Sequence, residues 1–392
     1  MKKSIISLFL ITAGFYATAQ NGYNAVLQQV ETNSTTLSAL RKQTEAQQLG
    51  NRTGIYLANP EVEFNYLWGN PATIGNRTDI SVKQSFDFPT AYAHRGKIAG
   101  LQNANAELSY KAERLNVLLS AKRICIELIY YNALAKEHAA RLQNAVRIAD
   151  AYRSKLNAGE TNILENNKAQ LSLAAMQAEA ARIETEHAAL LAELKTLNGG
   201  KEINFSDNIY PLRLLPTNFD DWYAQAEAKS TVLQYVSGQI EIERQQVKLN
   251  RALSLPGFSA GYMSEKIVGE HFQGITAGLT IPLWENKNRV RQAKAQMQAA
   301  EFALENTKIQ FYNRLQTLYQ KAAALQQNAQ TAKQSLSAYG NEPLLKKALD
   351  AGEISLLDYL LEIGFYYDAK NRILEAERDF ELTAAELEAV EL

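Results

Sequence analysis

One cysteine in 392 residues excludes an intrachain disulfide. That residue, Cys125, lies in an apolar helical pattern, so a buried, inert thiol is expected. Histidine and methionine are as sparse, at four each. His94, His138, His187 and His271 are scattered without metal-ligand spacing, and no methionine cluster occurs. No H-E-x-x-H, G-x-S-x-G or Gly-rich phosphate loop is present, which removes the common metalloprotease, hydrolase and nucleotide chemistries. The expectation is therefore no enzyme: no catalytic residue, no metal site and no cofactor. Charge is balanced at 41 basic against 42 acidic residues, net −1, which argues against a nucleic-acid partner. Past the N-terminus no run is long, apolar and uncharged enough for a membrane helix.

What is present begins with a leader. Lys2 and Lys3 precede a short apolar run, Ile5 to Tyr16, and Ala17-Thr18-Ala19 forms an A-x-A cleavage site. Residues 1–19 thus read as a secretory signal peptide; the run is too short to span a bilayer. The mature chain would begin at Gln20, with 392 − 19 = 373 residues. No cysteine follows the cleavage site, so no N-terminal lipid anchor is expected. An exported protein without a membrane helix is periplasmic, secreted, or a β-barrel of the outer membrane.

The chain repeats itself. "LNAGETNILE" begins at Leu156 and "LDAGEISLLD" at Leu349, pairing Gly159 with Gly352, Glu160 with Glu353, Leu164 with Leu357 and Glu165 with Asp358. Each pair is 193 apart, since 352 − 159 = 193, and so are Pro89 and Pro282. Two landmarks sharing one offset imply a duplicated unit: residues 20–198 and 220–392, joined by a linker at 199–219. Each half reads as a helix, a β-hairpin, a very long helix, a glycine turn and another helix. In the first, the helix runs from Tyr23 to Gly50. Val62, Phe64, Tyr66 and Trp68 then alternate with Glu61, Glu63 and Asn65. "GNPATIGNRT" makes the hairpin loop, and a strand runs from Asp79 to Phe88. A helix follows from Thr90 to Asn157, then one from Asn162 to Asn198. The linker is expected to contain one short strand. The second half repeats this with a helix from Asp220 to Arg251, strands near 257–264 and 272–281, a helix from about residue 287 to the break at Gly352, and a last helix.

From Thr90 to Asn157 is 68 residues, roughly 100 Å of helix at about 1.5 Å per residue. Leu101, Leu108 and Leu115 keep heptad spacing, as do Leu128, Ala135, Leu142, Ala149 and Leu156 after a phase shift. Ile183, Leu190 and Leu197, and Ile373, Phe380 and Leu387, do the same in the partner helices, which signals coiled-coil packing. The four strands are long enough to cross a membrane when tilted. One face is apolar and aromatic, the other polar or Gly-rich, which suits lipid outside and water inside. Four strands cannot close a barrel, so several chains must pool them: two would give eight strands, three would give twelve. The alternative is a pair of exposed hairpins capping a helical bundle.

The junctions "SFDFP" and "LTIPLW" and the two glycine turns resemble those of the TolC-like outer-membrane efflux proteins of Gram-negative bacteria, over nearly the whole mature chain. The resemblance implies a mainly α protein with a transmembrane β part. Three chains would share a twelve-stranded barrel above an α-barrel tunnel in the periplasm. The function implied is the exit duct of a tripartite efflux system, set in outer-membrane lipid and fed by an inner-membrane pump through a periplasmic adaptor. The turns at Gly159 and Gly352, with Leu164 and Leu357, would lie at the tunnel's tip and meet the adaptor. Asp358 matches the position of a constricting aspartate, and Asp358, Glu362 and Glu165 are the candidate acidic ring at the entrance. An ordinary solvated Asp at a helix N-terminus is the other reading of Asp358. A second ring aspartate corresponds to Leu361, and the Tyr and Arg that close the tip correspond to Leu349 and Ile354, so other contacts must hold any closed state. Tyr66, Trp68, Tyr262 and Trp284, at or near strand ends, are expected as interfacial aromatic belts, with packing at the barrel-to-tunnel junction as the alternative for Trp284. "IPLWENKNRVRQAKAQ" looks like members that serve heavy-metal pumps; drugs and other organic solutes are the alternative cargo. A periplasmic coiled-coil adaptor or structural protein is the competing function.

Overall fold

The structure, a computed structural model, describes residues 22–391; the expected leader lies outside the described residues. The first run of elements is α1 (Gly22–Asn33), α2 (Thr35–Gly50), β1 (Glu61–Leu67), β2 (Arg77–Phe86), α3 (Pro89–Asn157) and α4 (Ile163–Leu197). The second is α5 (Phe219–Lys229), α6 (Thr231–Ala252), β3 (Gly257–Ile267), β4 (Glu270–Thr280), α7 (Arg289–Tyr339), α8 (Glu342–Ala351) and α9 (Leu356–Leu387). Among the described residues no helix is long and apolar enough to cross a membrane.

The leading helix of each run is two helices, not one. The breaks fall at Ser34 and Ser230, in "STTL" and "STVL", and the Ser230 hydroxyl accepts from the Leu233 N–H at 3.3 Å. A serine that caps the next helix competes with continuing the previous one. These serines are 230 − 34 = 196 apart, as are Pro60 and Pro256, and Tyr66 and Tyr262. The offset falls to 193 from β2 and β4 onward, so the first hairpin is three residues longer than the second, counted from the start of one strand to the start of the next.

The helix leading to Gly352 is also interrupted. α7 stops at Tyr339, and α8 starts after Gly340 and Asn341 with a proline in its first turn. Pro343 cannot donate into the preceding turn and its ring crowds the carbonyl four residues back. A Cβ at Gly340 would lie 2.5 Å from the Leu336 carbonyl oxygen. α3 contains no proline beyond its first residue and runs 69 residues unbroken.

The linker contains no strand among its described residues. Its extended chain is held by side chains instead: the Tyr210 hydroxyl donates to the Ile126 carbonyl at 3.1 Å, and Arg213 donates to Glu381 at 2.9 Å. That ion pair is almost fully buried, so losing either partner would strand a charge.

By packing, the chain divides into two compact units, each drawn from both runs. One includes residues 120–214 and 326–382. Its cores join Ile148, Leu349, Leu356, Tyr359 and Ile363, and Tyr130, Leu134 and Ile183. Cys125 is fully buried there, and burial pushes its thiol up to about 12. The other unit includes residues 35–119 and 215–325, with Ala91, Ile98, Ile242 and Leu249 in one core and Ala226, Leu315 and Leu387 in another. It carries the sheet.

The sheet is antiparallel in the order β1-β2-β3-β4, leaving β1 and β4 as edges. Its register fixes the faces, because directly paired residues point the same way. Val62 pairs with Val82, Val82 with Tyr262, and Tyr262 with Ile275. Phe64 and Ile80, and Phe86, Phe258 and Leu279, lie on this same face. Glu61, Glu63, Asp79, Lys83, Glu265 and Glu270 lie on the other, where Arg77 donates to Asp79 at 2.8 Å and approaches Glu265 at 3.2 Å.

Candidate functional site

The glycine turns have one geometry. Gly159 and Gly352 take φ of 74° and 73°. After α3, Gly159 N–H donates to the Leu156 carbonyl at 3.1 Å and Glu160 N–H to the Lys155 carbonyl at 2.8 Å. After α8, Gly352 N–H donates to Leu349 at 3.1 Å and Glu353 N–H to Ala348 at 2.9 Å. Both are Schellman closures, which need a left-handed residue at the glycine. A Cβ on either glycine would meet nothing within 4 Å, so the requirement is conformational and not steric crowding.

Each turn leads into a capped helix. The Asn162 side chain accepts from Glu165 N–H at 3.0 Å. The Ser355 hydroxyl accepts from Asp358 N–H at 3.1 Å, and it donates to the Asp358 carboxylate at 2.6 Å. Asp358 therefore closes a capping box. Glu165, at the matching position, pairs with Lys168 at 2.7 Å. Asp358 and Glu362 are exposed on α9, one turn apart. Leu164 and Leu357 are exposed as well, whereas Leu349 is buried and Ile354 packs against the same core. Leu361 is exposed, leaving its backbone position open to whatever faces it.

Two contacts near the turns were not legible in the sequence. Asn144 donates to the Tyr359 hydroxyl at 2.7 Å, and Arg147 pairs with Asp350 at 3.0 Å. They bind α3 to α9 and to α8, across more than 200 residues of chain. No local pattern marks such pairs. His138 and His187 line one cavity between α3 and α4, whereas His94 and His271 do not line it. Burial, followed by the neighbouring Arg141, holds His138 below its ordinary range, and no group of three or more His, Cys, Asp or Glu among the described residues could hold a metal.

The aromatic residues separate. Tyr66 lies near the end of β1 and Trp68 just past it, edge-to-face with centroids 5.5 Å apart, and Trp68 is largely exposed. Trp284 follows β4 and is also exposed. Tyr262 departs from the expectation. It is the sixth residue of an eleven-residue strand, level with Val62, Val82 and Ile275, because β3 continues three residues past the expected end at 264.

This arrangement of helices and sheet occurs in solved outer-membrane channels. The CmeC channel of Campylobacter jejuni matches with a TM-score of 0.77 at 16% identity, over 94% of this chain and 85% of that one. VceC of Vibrio cholerae matches at 0.74 and 16%, over 94% and 95%. The open state of MtrE from Neisseria gonorrhoeae matches at 0.75 and 13%, over 94% and 88%. Identities this low establish the fold. No curated protein matches the sequence. Residues 222–390, nearly all of the second run of elements, match the family model described as outer membrane efflux protein. Over that stretch the chain is similar to the outer membrane efflux proteins. The matching family and the fold are those of outer-membrane efflux channels, not of known enzymes.

Proposed function

We propose that three copies of this chain form a passive exit duct through the outer membrane. Two copies of one structural unit, residues 20–198 and 220–392, make up each chain. Four strands per chain give a twelve-stranded barrel, and the helices give a periplasmic tunnel. An inner-membrane pump delivers the cargo through a periplasmic adaptor that docks at the Gly159 and Gly352 turns. Heavy-metal cations are the cargo class suggested by the junction after β4; drugs or other organic solutes are the alternative.

The observation that carries this reading is the sheet. β1 and β4 are each unpaired along one edge, and one face carries Val62, Phe64, Ile80, Val82, Phe86 and Phe258. Unpaired edges are not tolerated in hydrocarbon, so neighbours must supply the missing ladder. Detergent extracts of the outer membrane should yield a homotrimer by crosslinking and by native mass measurement. A monomer that stays in solution without detergent would sink the reading.

The exposed carboxylates near the entrance give a second test. Three copies of Asp358 around a three-fold axis make a ring of negative charge, which favours cations. Asp358→Asn keeps a side chain able to cap the helix, so folding is preserved while the charge is lost. Cation preference in planar bilayers should fall, and should fall further with Glu362→Gln added. Unchanged selectivity in the double variant would put both carboxylates off the permeation path.

A further inference from the structure

The two faces of the sheet differ in charge more sharply than in hydrophobicity. Every acidic residue of the four strands lies on the polar face: Glu61, Glu63, Asp79, Glu265 and Glu270. The apolar face has no carboxylate at all. Its ionisable groups apart from tyrosine are Lys266 and His271, and they occupy the same cross-strand row, directly opposite each other at the hairpin end. Thr78 and Tyr66 complete that row on the neighbouring strands.

The row is polar and open. Lys266 is exposed, and no ion pair involves it among the described residues. His271 is exposed and its Nε2 is 2.8 Å from the Ser264 hydroxyl. The Tyr66 hydroxyl accepts from Asn76 at 2.7 Å, and Tyr262 donates to Gln273 at 2.8 Å. Below lie Phe64, Ile80, Val82, Tyr262 and Ile275, with Ser264, Gln273 and Gln84 as uncharged polar neighbours on the same face. A cation, an imidazole and hydroxyls therefore cap an otherwise uncharged apolar face.

We infer that this row binds the phosphate head group of an anionic membrane lipid, whose acyl chains lie down the apolar face. Charge complementarity selects the occupant. An apolar protein surface would leave Lys266 without a counter-ion, whereas a lipid phosphate supplies that charge at the height where its chains begin. Each cation close to an anionic lipid surface contributes about 1 kcal/mol, roughly fivefold in affinity. The inference rests on the proposed lipid-facing sheet and adds the lipid class and the residues that select it.

The extracted protein would be exposed to mixed micelles containing equal phosphatidylglycerol and phosphatidylcholine, and the retained lipid counted by native mass spectrometry. Phosphatidylglycerol should be enriched on the unaltered protein. Lys266→Glu should abolish the enrichment, and Lys266→Gln with His271→Gln should reduce it about fivefold or more. Phosphatidylcholine retention should not change, which separates head-group selection from general contact with the apolar face. Equal retention of both lipids by the unaltered protein would overturn the assignment, as would enrichment that survives Lys266→Glu. Loss of phosphatidylglycerol on adding millimolar inorganic phosphate would show a free-anion site in place of a lipid site. Failure to retain either lipid would overturn the lipid-facing sheet along with it.

Discussion

A chain carrying Gly159→Val and Gly352→Val should reach the outer membrane as trimers yet export poorly and crosslink weakly to its adaptor. Both glycines hold φ above 70° and both close a Schellman motif. A β-branched residue there costs on the order of 1–2 kcal/mol per site, and relaxing the strain means giving up the positive φ that the two closing hydrogen bonds need. Nothing crowds the Cβ positions, so the penalty stays in the turn and does not spread into the core formed by Leu349 and Leu356. The cost is small beside the stability of a trimer of long packed helices, so assembly persists while the docking surface changes shape. Full export together with full crosslinking would show that the turns are not the docking site. Absence of trimers would show that the glycines serve folding, and docking would need separate proof.

Ile275→Arg should sharply lower the amount of protein in the outer membrane. Ile275 is the central residue of β4 and 92% exposed in the isolated chain, on the apolar face beside Tyr262. If that face meets lipid, an arginine near the bilayer midplane costs about 2–4 kcal/mol in each of three protomers. Thr276→Arg, one residue along, points to the polar face and should be nearly silent. On a water-exposed sheet the two substitutions would be equally harmless. The ratio of the two variants in fractionated membranes decides it, and equal levels would remove the lipid-facing assignment.

The strand faces were legible because a two-residue period leaves no choice once one face is apolar: Val62, Phe64 and Tyr66 share a side, as read. The glycine turns were legible because Gly159 and Gly352 recur in matching contexts. The helix breaks were missed although their signals were present. "STTL" and "STVL" look like ordinary helix positions, and in "STVL" the serine caps the helix that follows. Gly340 with Pro343 was a plain break signal, hidden because α3 has no counterpart. The expected linker strand failed for a different reason. Its alternation is real, but Tyr210 and Arg213 reach a carbonyl and a carboxylate, and among the described residues no strand pairs with it. Asp358 was read both as a ring carboxylate and as a helix-terminal acid. The capping box was spelled out in "SLLD" and places it at the helix start without deciding what else its free face meets. The pairs Asn144–Tyr359 and Arg147–Asp350 need the fold itself.

The change of offset from 196 to 193 has a consequence for how this chain tolerates added length. A residue inserted into a strand would turn every following side chain to the opposite face, and one inserted into a helix would rotate its seam by about 100°. Neither has happened between the paired landmarks outside the hairpin. The first hairpin has absorbed the whole difference: its loop from Trp68 to Asn76 is seven residues longer than the two-residue turn at Val268 and Gly269, and β1 is four residues shorter than β3. Part of the loop already leans on that turn: a Cβ at Gly75 would collide with the Val268 side chain. Ile74, at 58% exposure, leaves the loop's crest clear of it. In the proposed trimeric barrel that crest would lie outside the membrane, where a foreign peptide could be displayed without disturbing either the membrane wall or the tunnel.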